Sequence, residues 1–285
     1  MDIRFYKLQV CGIDWLLLDR MDETAGPVPD FGVLSRALCR RRRGAGGFGL
    51  VALSRPEQDV WAECFDFSGR GVSLPPCAAL CAARYLFDSG RGGRASIDLR
   101  TREGPVRVDV IDSTRFALDL GPALSPSGAP LREGDAARAA AELDVAGKAL
   151  SILPVRLAGQ SFAVVVAEGS LREALSPFGK SELPAGGSGP GRPHITPLAV
   201  RVLSRNNLAA GGRPLDACAA AGAALAAAGA YGLADREAAV RLGGDAVFVN
   251  GDANDGLYAA ARPVYVFSGE YWMENNPVEL ESPED

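Results

Sequence analysis

Residues 4–8 mix polar and apolar positions over a short stretch rich in aromatic and aliphatic side chains, and a denser apolar run, Trp15-Leu16-Leu17-Leu18, follows. The first reads as a half-buried strand and the second as a strand buried on both faces. Residues 50–53, 61–67, 106–110 and 114–120 read as further strands, the last two as a hairpin. Residues 31–42 carry Val33, Leu34, Ala37 and Leu38 at helical spacing. Pro75-Pro76 stops the strand pattern, and residues 77–88 are Ala-rich and helical. Residues 135–146 read as a helix that Gly147 ends. Residues 153–166 are strand-rich, 171–175 form a short helix, and 199–203 a strand. A second Ala-rich helix spans about 218–230, and strands at 246–249, 256–260 and 264–267 close the fold.

The two halves echo each other. Each runs through strands, a turn with Gly and Pro, a cysteine, an Ala-rich helix and more strands, which points to duplication of an α+β unit. The Pro/Gly/Ser-rich stretch 125–132 marks the boundary. It divides the chain into residues 1–124 with Cys77, residues 125–274 with Cys218, and an acidic tail, 275–285, expected to be disordered. Residues 181–193 read as a mobile Gly/Pro loop.

Composition narrows the chemistry. The 285 residues hold 47% apolar and 23% charged side chains, ordinary values for a globular chain. A net charge of −5 argues against nucleic acid as a partner, which needs a basic footprint. One histidine, His194, excludes HExxH and His-rich metal sites. Six cysteines are too few for a disulfide scaffold. Neither a signal peptide nor a membrane span is visible, so a cytoplasmic protein is expected.

Gly44–Gly49 matches G-x-G-x-x-G as a string. A helix precedes it and a strand follows, the reverse of the dinucleotide arrangement, so it reads as a tight turn. The run Arg40–Arg43 reads as the solvated end of a helix. Cys77 and Cys81 stand at C-x-x-x-C with no second pair, so no metal is expected. Cys11, Cys39 and Cys64 read as small buried hydrophobes.

Cys77 and Cys218 differ, because each opens a helix. Free N–H groups and the dipole there favour negative charge, and a thiol so placed is expected to have its pKa lowered by about a unit or more. Two thiols of matched pKa suit a reaction in which one removes a proton from a carbon and the other returns one.

On these residues the chain resembles the diaminopimelate epimerase family, the cofactor-independent two-cysteine amino-acid racemases and epimerases. The resemblance runs from about residue 4 to 272. The stretch 7–15 looks like K-M-x-G-x-G-N-D-F, and Phe67-Ser68-Gly69-Arg70-Gly71 occupies the F-N-x-D-G stretch. Cys81-Ala82-Ala83-Arg84-Tyr85 looks like C-x-A-R-[FY], and Ala217-Cys218 matches the A-C of the second cysteine motif. Gly243-Gly244 falls at P-G-G and Phe267-Ser268-Gly269 at the closing [VF]-x-G.

The resemblance implies an α+β fold of two similar lobes. Each would be a curved, mostly antiparallel sheet round a central helix, with the cleft between lobes and Cys77 and Cys218 facing each other as catalytic thiols. No cofactor is implied. The substrate-contacting positions fall on Ile13, Ser68, Gln160 and His194, where the family has Asn. Ala78 and Ala79, and Ala219 and Ala220, stand where the family has Gly-rich segments that cradle a carboxylate. Ala209 and Ala210 replace the Glu-Arg pair that grips the distal carboxylate, so diaminopimelate is not the expected substrate.

Three readings stay open. The first is racemisation or epimerisation next to a carboxyl or carbonyl group, on an amino acid or amino-acid-derived small molecule. The second is another isomerisation or cyclisation, in secondary-metabolite biosynthesis. The third is a binding protein without activity. Related epimerases often form dimers, so the resemblance allows a homodimer.

Overall fold

The computed structural model describes residues 2–22, 30–56, 59–145, 148–178, 183–184, 194–252 and 256–272. The expected tail 275–285 and, apart from 183–184, the expected loop 181–193 lie outside the described residues. The first half contains β1 (Asp2–Val10), β2 (Ile13–Arg20), α1 (Phe31–Leu38), β3 (Gly49–Ser54), β4 (Val60–Asp66), β5 (Gly71–Val72), α2 (Pro76–Asp88), β6 (Ser96–Thr101), β7 (Gly104–Val110) and β8 (Phe116–Gly121). The second half begins with α3 (Ala136–Ala139), β9 (Ala141–Val145), β10 (Lys148–Leu157), β11 (Gln160–Val166), α4 (Leu171–Leu175) and β12 (Leu183–Pro184). It continues with β13 (His194–Ser204), β14 (Asn207–Gly212), α5 (Ala217–Ala230), β15 (Glu237–Leu242), β16 (Asp245–Asp252), β17 (Gly256–Ala261) and β18 (Val264–Trp272).

The pairings repeat between halves. β1–β2, β3–β4, β6–β7 and β7–β8 are antiparallel, whereas β2–β3 and β4–β6 are parallel. In the second half β10–β11, β13–β14, β15–β16 and β16–β17 are antiparallel, and β11–β13 and β14–β15 parallel. The halves join where β8 runs antiparallel to β17, with Leu118 opposite Ala259. β18 crosses back to pair with β1. This is a two-lobe α+β architecture, each lobe a sheet curled round one helix.

Equivalent hairpins make the symmetry local as well. Cys11 (φ 49) and Gly12 (φ 82) turn β1 into β2, and Ala158 (φ 48) and Gly159 (φ 74) turn β10 into β11. Two successive left-handed residues match the right-handed twist of the flanking strands.

The central helices explain their own composition. α2 touches the strands β1, β2, β3, β6, β7 and β8, and α5 touches β10, β11 and β13 to β17. Every residue of α5 except Gly229 is buried. A helix covered on all sides needs no apolar stripe, and Ala lets the sheet approach closely.

Two local expectations change. The helix expected over 31–42 ends at Leu38, because Gly44 N–H and Gly46 N–H return to the carbonyls of Arg40 and Leu38, turning the chain back on the helix end. Of the arginine run, Arg41 pairs with Asp14 at 3.0 Å, and Asp14 also holds the buried Lys7 at 2.9 Å. The helix expected over 135–146 is only the single turn α3. Residues 141–145 form β9 instead, pairing Leu143 with Leu150 beside Ile152 and Phe178, so cross-strand packing overrides the Ala-rich propensity.

Candidate active site

The two central helices meet at their N-termini. Pro75 is the N-cap of α2 and has no side-chain acceptor. Asp216 is the N-cap of α5. Its Oδ1 accepts from Ala219 N–H at 2.9 Å, the ordinary cap bond. Its Oδ2 accepts from Cys77 N–H at 2.6 Å, across 139 residues of chain. One fully buried carboxylate therefore caps both helices.

Cys77 and Cys218 each occupy the second position of their helix. They are 141 positions apart, and Cys77 Sγ donates to Cys218 Sγ at 3.8 Å. Both are fully buried. The expected lowering of their pKa does not occur. Burial pushes Cys77 well up, helped by its own hydrogen bond to Cys218 and by the Asp216 charge. For Cys218 the hydrogen bond from Cys77 lowers the pKa, yet burial and Asp216 outweigh it and the thiol also ends above the usual value. The helix termini do favour negative charge, but Asp216 already supplies it. Asp216 is itself raised by burial, against the N–H groups that stabilise it.

A cleft of about 1330 Å³ lies over this junction, lined from both lobes. Pro75, the N-cap of α2, and Leu215, the residue before the N-cap of α5, belong to its wall. Trp15, Phe48, Phe67, Leu171, Phe178 and Ile195 make it largely apolar. Asp66, Arg70, Glu103, Arg172 and Arg213 add charge, with Arg70 held by Asp66 at 3.0 Å. Among the described residues, Trp15 Nε1 and Gln160 Oε1 are buried polar atoms without a partner, and both residues line the cleft. A ligand with one acceptor and one donor can satisfy them.

The remaining sequence candidates scatter around this frame. Gln160 is in the cleft wall. Ser68 sits beside it, its hydroxyl on Asp66 at 2.5 Å. Ile13 is buried in the core. Ala78, Ala79, Ala219 and Ala220 are fully buried inside the helices and do not line the cleft. Ala209 and Ala210 lie in β14, just before the cleft-lining Gly211, Gly212 and Arg213. His194 opens β13 opposite Pro184; its side chain lies outside the described part of the structure. Asp216 was not among the candidates. An Asp directly before a helical Ala-Cys is an N-cap signal, and that signal was available in the sequence.

No family model matches the chain. Over 285 aligned residues it is 25% identical to diaminopimelate epimerase from Desulforapulum autotrophicum, covering 94% of this chain and 99% of the relative. Its fold is that of a PhzF-family phenazine biosynthesis protein from Enterococcus faecalis, with TM-score 0.64, 14% identity, and 96% and 100% of the two chains covered. A probable proline racemase from Agrobacterium radiobacter K84 gives TM-score 0.63 at 15% identity, covering 98% and 94%. Homology to these epimerases makes the chain an isomerase, and the solved structures share its fold. Within that class, the chain is a divergent homologue of the diaminopimelate epimerases. No helix among the described residues is long and apolar enough to cross a membrane.

Proposed function

We propose that this isomerase inverts a carbon next to a carboxyl or carbonyl group by proton transfer between Cys218 and Cys77, without a cofactor, on an amino-acid-derived substrate other than diaminopimelate. The carrying observation is the contact of the two sulfurs at 3.8 Å where two symmetric helices begin beneath one cleft. The direction of their hydrogen bond supports one division of roles. Cys77 donates to Cys218 and is the more strongly raised thiol, so Cys218 is the base and Cys77 the acid that returns the proton on the other face.

The separation also states what catalysis requires. A carbon in reactive contact with a sulfur on each face needs those sulfurs about 6–7 Å apart, at roughly 3–3.5 Å per contact. The helix ends must part by about 3 Å for the substrate to enter. Substrate binding would supply that opening and bring water-free contact with both thiols.

Asp216 supports a second reading. It occupies the junction where two helix N-termini would otherwise receive a substrate carboxylate. A substrate activated by an ester, amide or ketone carbonyl avoids that clash, and a different isomerisation or a cyclisation then becomes the reaction. Exchange of substrate hydrogen in D₂O separates the readings. Candidate amino acids, their amides and their esters would be incubated with the protein and followed by mass spectrometry. Deuterium entering Cα of a free amino acid, and lost in both Cys77→Ala and Cys218→Ala, supports racemisation. Exchange confined to carbonyl derivatives keeps the same chemistry but on carbonyl-activated substrates, whereas conversion of a derivative to a ring product or a constitutional isomer supports the second reading. Exchange that persists in both variants excludes a two-thiol mechanism.

A further inference from the structure

Cys77 Sγ, Cys218 Sγ and one Asp216 carboxylate oxygen lie within 4.8 Å of one another, and all three residues are buried. We propose that these three side chains form a zinc-binding site at the junction of the two central helices.

The spacing carries the argument. With Zn–S bonds of about 2.3 Å and a tetrahedral angle, two zinc-bound sulfurs stand ~3.8 Å apart. The separation here is 3.8 Å, close to what the ion would impose. A disulfide would need about 2.05 Å, and a substrate carbon between two bases roughly 6–7 Å. Of the three uses of a cysteine pair, metal binding asks for the least movement.

Charge points the same way. Two thiolates and a carboxylate around Zn²⁺ leave one net negative charge, and each helix N-terminus contributes about half a positive charge. Burial that opposes a free thiolate does not oppose a metal-bound one, because the ion neutralises it. Asp216 can coordinate without giving up its caps, since each carboxylate oxygen has a second lone pair. Thiolates with a carboxylate select zinc over the hard cations calcium and magnesium. Three protein ligands leave the fourth tetrahedral position unfilled by protein.

Binding balances as one Zn²⁺ and two thiols giving two Zn–S bonds and two protons released to solvent. Affinity should therefore rise about 100-fold per pH unit while both thiols are protonated in the free protein. Once zinc holds both sulfurs, neither can carry a proton, so the metal would shut off the proposed isomerase. The site does not depend on that reading.

The test is titration of the reduced full chain with Co²⁺, followed by displacement with Zn²⁺. One Co²⁺ per chain is expected, with a sulfur-to-cobalt charge-transfer band and the intense visible bands of tetrahedral cobalt. Cys77→Ser and Cys218→Ser should each weaken binding at least ten-fold and reduce the charge-transfer band. Asp216→Asn should weaken binding while keeping the band; should it fail to fold, the two serine variants decide. No charge-transfer band from the folded wild type, or a band unchanged in both serine variants, overturns the proposal. Because no substrate enters the assay, failure here leaves the isomerase reading to its own deuterium experiment.

Discussion

The starts of α2 and α5 occupy equivalent places in the two lobes, yet only one carries a cap. α5 begins at Asp216, whose side chain bonds its own helix. α2 begins at Pro75, which has no acceptor to offer, and borrows the second oxygen of Asp216 instead. The lobes are thus joined at their centre by one shared carboxylate as well as by the β8–β17 ladder. Symmetry of fold does not entail symmetry of chemistry: the α5 side supplies the anion, and both thiols lie beside it.

Removing that carboxylate should have the largest effect. Asp216→Ala strips two buried N–H groups of their acceptor. At about 1–3 kcal/mol for each unsatisfied donor, with the ordinary value of a cap near 1 kcal/mol, the loss should be about 3–5 kcal/mol. Asp216→Asn keeps one oxygen and should lose about half as much. Urea unfolding checks both. A loss below about 1 kcal/mol for Asp216→Ala would mean that α2 does not depend on the carboxylate of the other lobe.

Alkaline pH tests the thiols. Burial holds the Cys77 and Cys218 thiols above the ordinary cysteine value of about 9 when folded. The unfolded chain therefore loses these protons first. Their contribution is fully present below pH 9 and is lost as pH rises toward the folded values. Each thiol steepens that loss by up to about 1.4 kcal/mol per pH unit. The double variant Cys77→Ala/Cys218→Ala should flatten the fall above pH 9 by up to ~2.7 kcal/mol per unit. Cys39, pushed up to about 11 chiefly by burial, contributes a slope that this variant leaves in place. An unaltered slope in the double variant would show that the helix-end thiols ionise as freely folded as unfolded.

Much of this molecule was legible in the chain. The strand runs, both Ala-rich helices, and Cys77 and Cys218 at helix starts followed from period, Pro placement and resemblance, because each is written in local sequence. β6, β14 and β15 are not legible, since 96–101, 207–212 and 237–242 mix charged, small and apolar residues, and each pairs on one side with a hairpin neighbour and on the other with a strand beyond a helix. The raised thiol pKa is not legible for a related reason. Local sequence shows the helix terminus but not the burial, nor a carboxylate brought in across 139 residues. The cluster of Cys77, Cys218 and Asp216 is hidden too, because these residues follow no C-x-x-C spacing and come together only in the folded chain.

The smallest predicted effect sharpens the contrast along the helices themselves. Advancing the 141-residue interval of the two thiols from Cys81 in α2 arrives at Gly222 in α5. A Cβ at Gly222 would meet Leu157 Cδ2 at 2.5 Å and Leu120 Cδ1 at 2.8 Å. Cys81 is fully buried in its own lobe, where a thiol fits. At this level α5 is gripped from both lobes, by Leu157 of β10 and Leu120 of β8. Gly222→Cys should cost about 1–3 kcal/mol by overpacking, partly offset by up to ~1 kcal/mol of helix propensity over Gly. Cys81→Gly should cost about 1–2 kcal/mol, from the emptied volume and the poorer propensity acting together. Thermal or urea unfolding of both single exchanges and the double exchange measures this. If the lobes pack their helices independently, the double variant is the sum of the two within about 0.5 kcal/mol. A double variant markedly more stable than that sum would mean that the packing of α2 and of α5 is coupled, and that parting Cys77 from Cys218 displaces both helices rather than either alone.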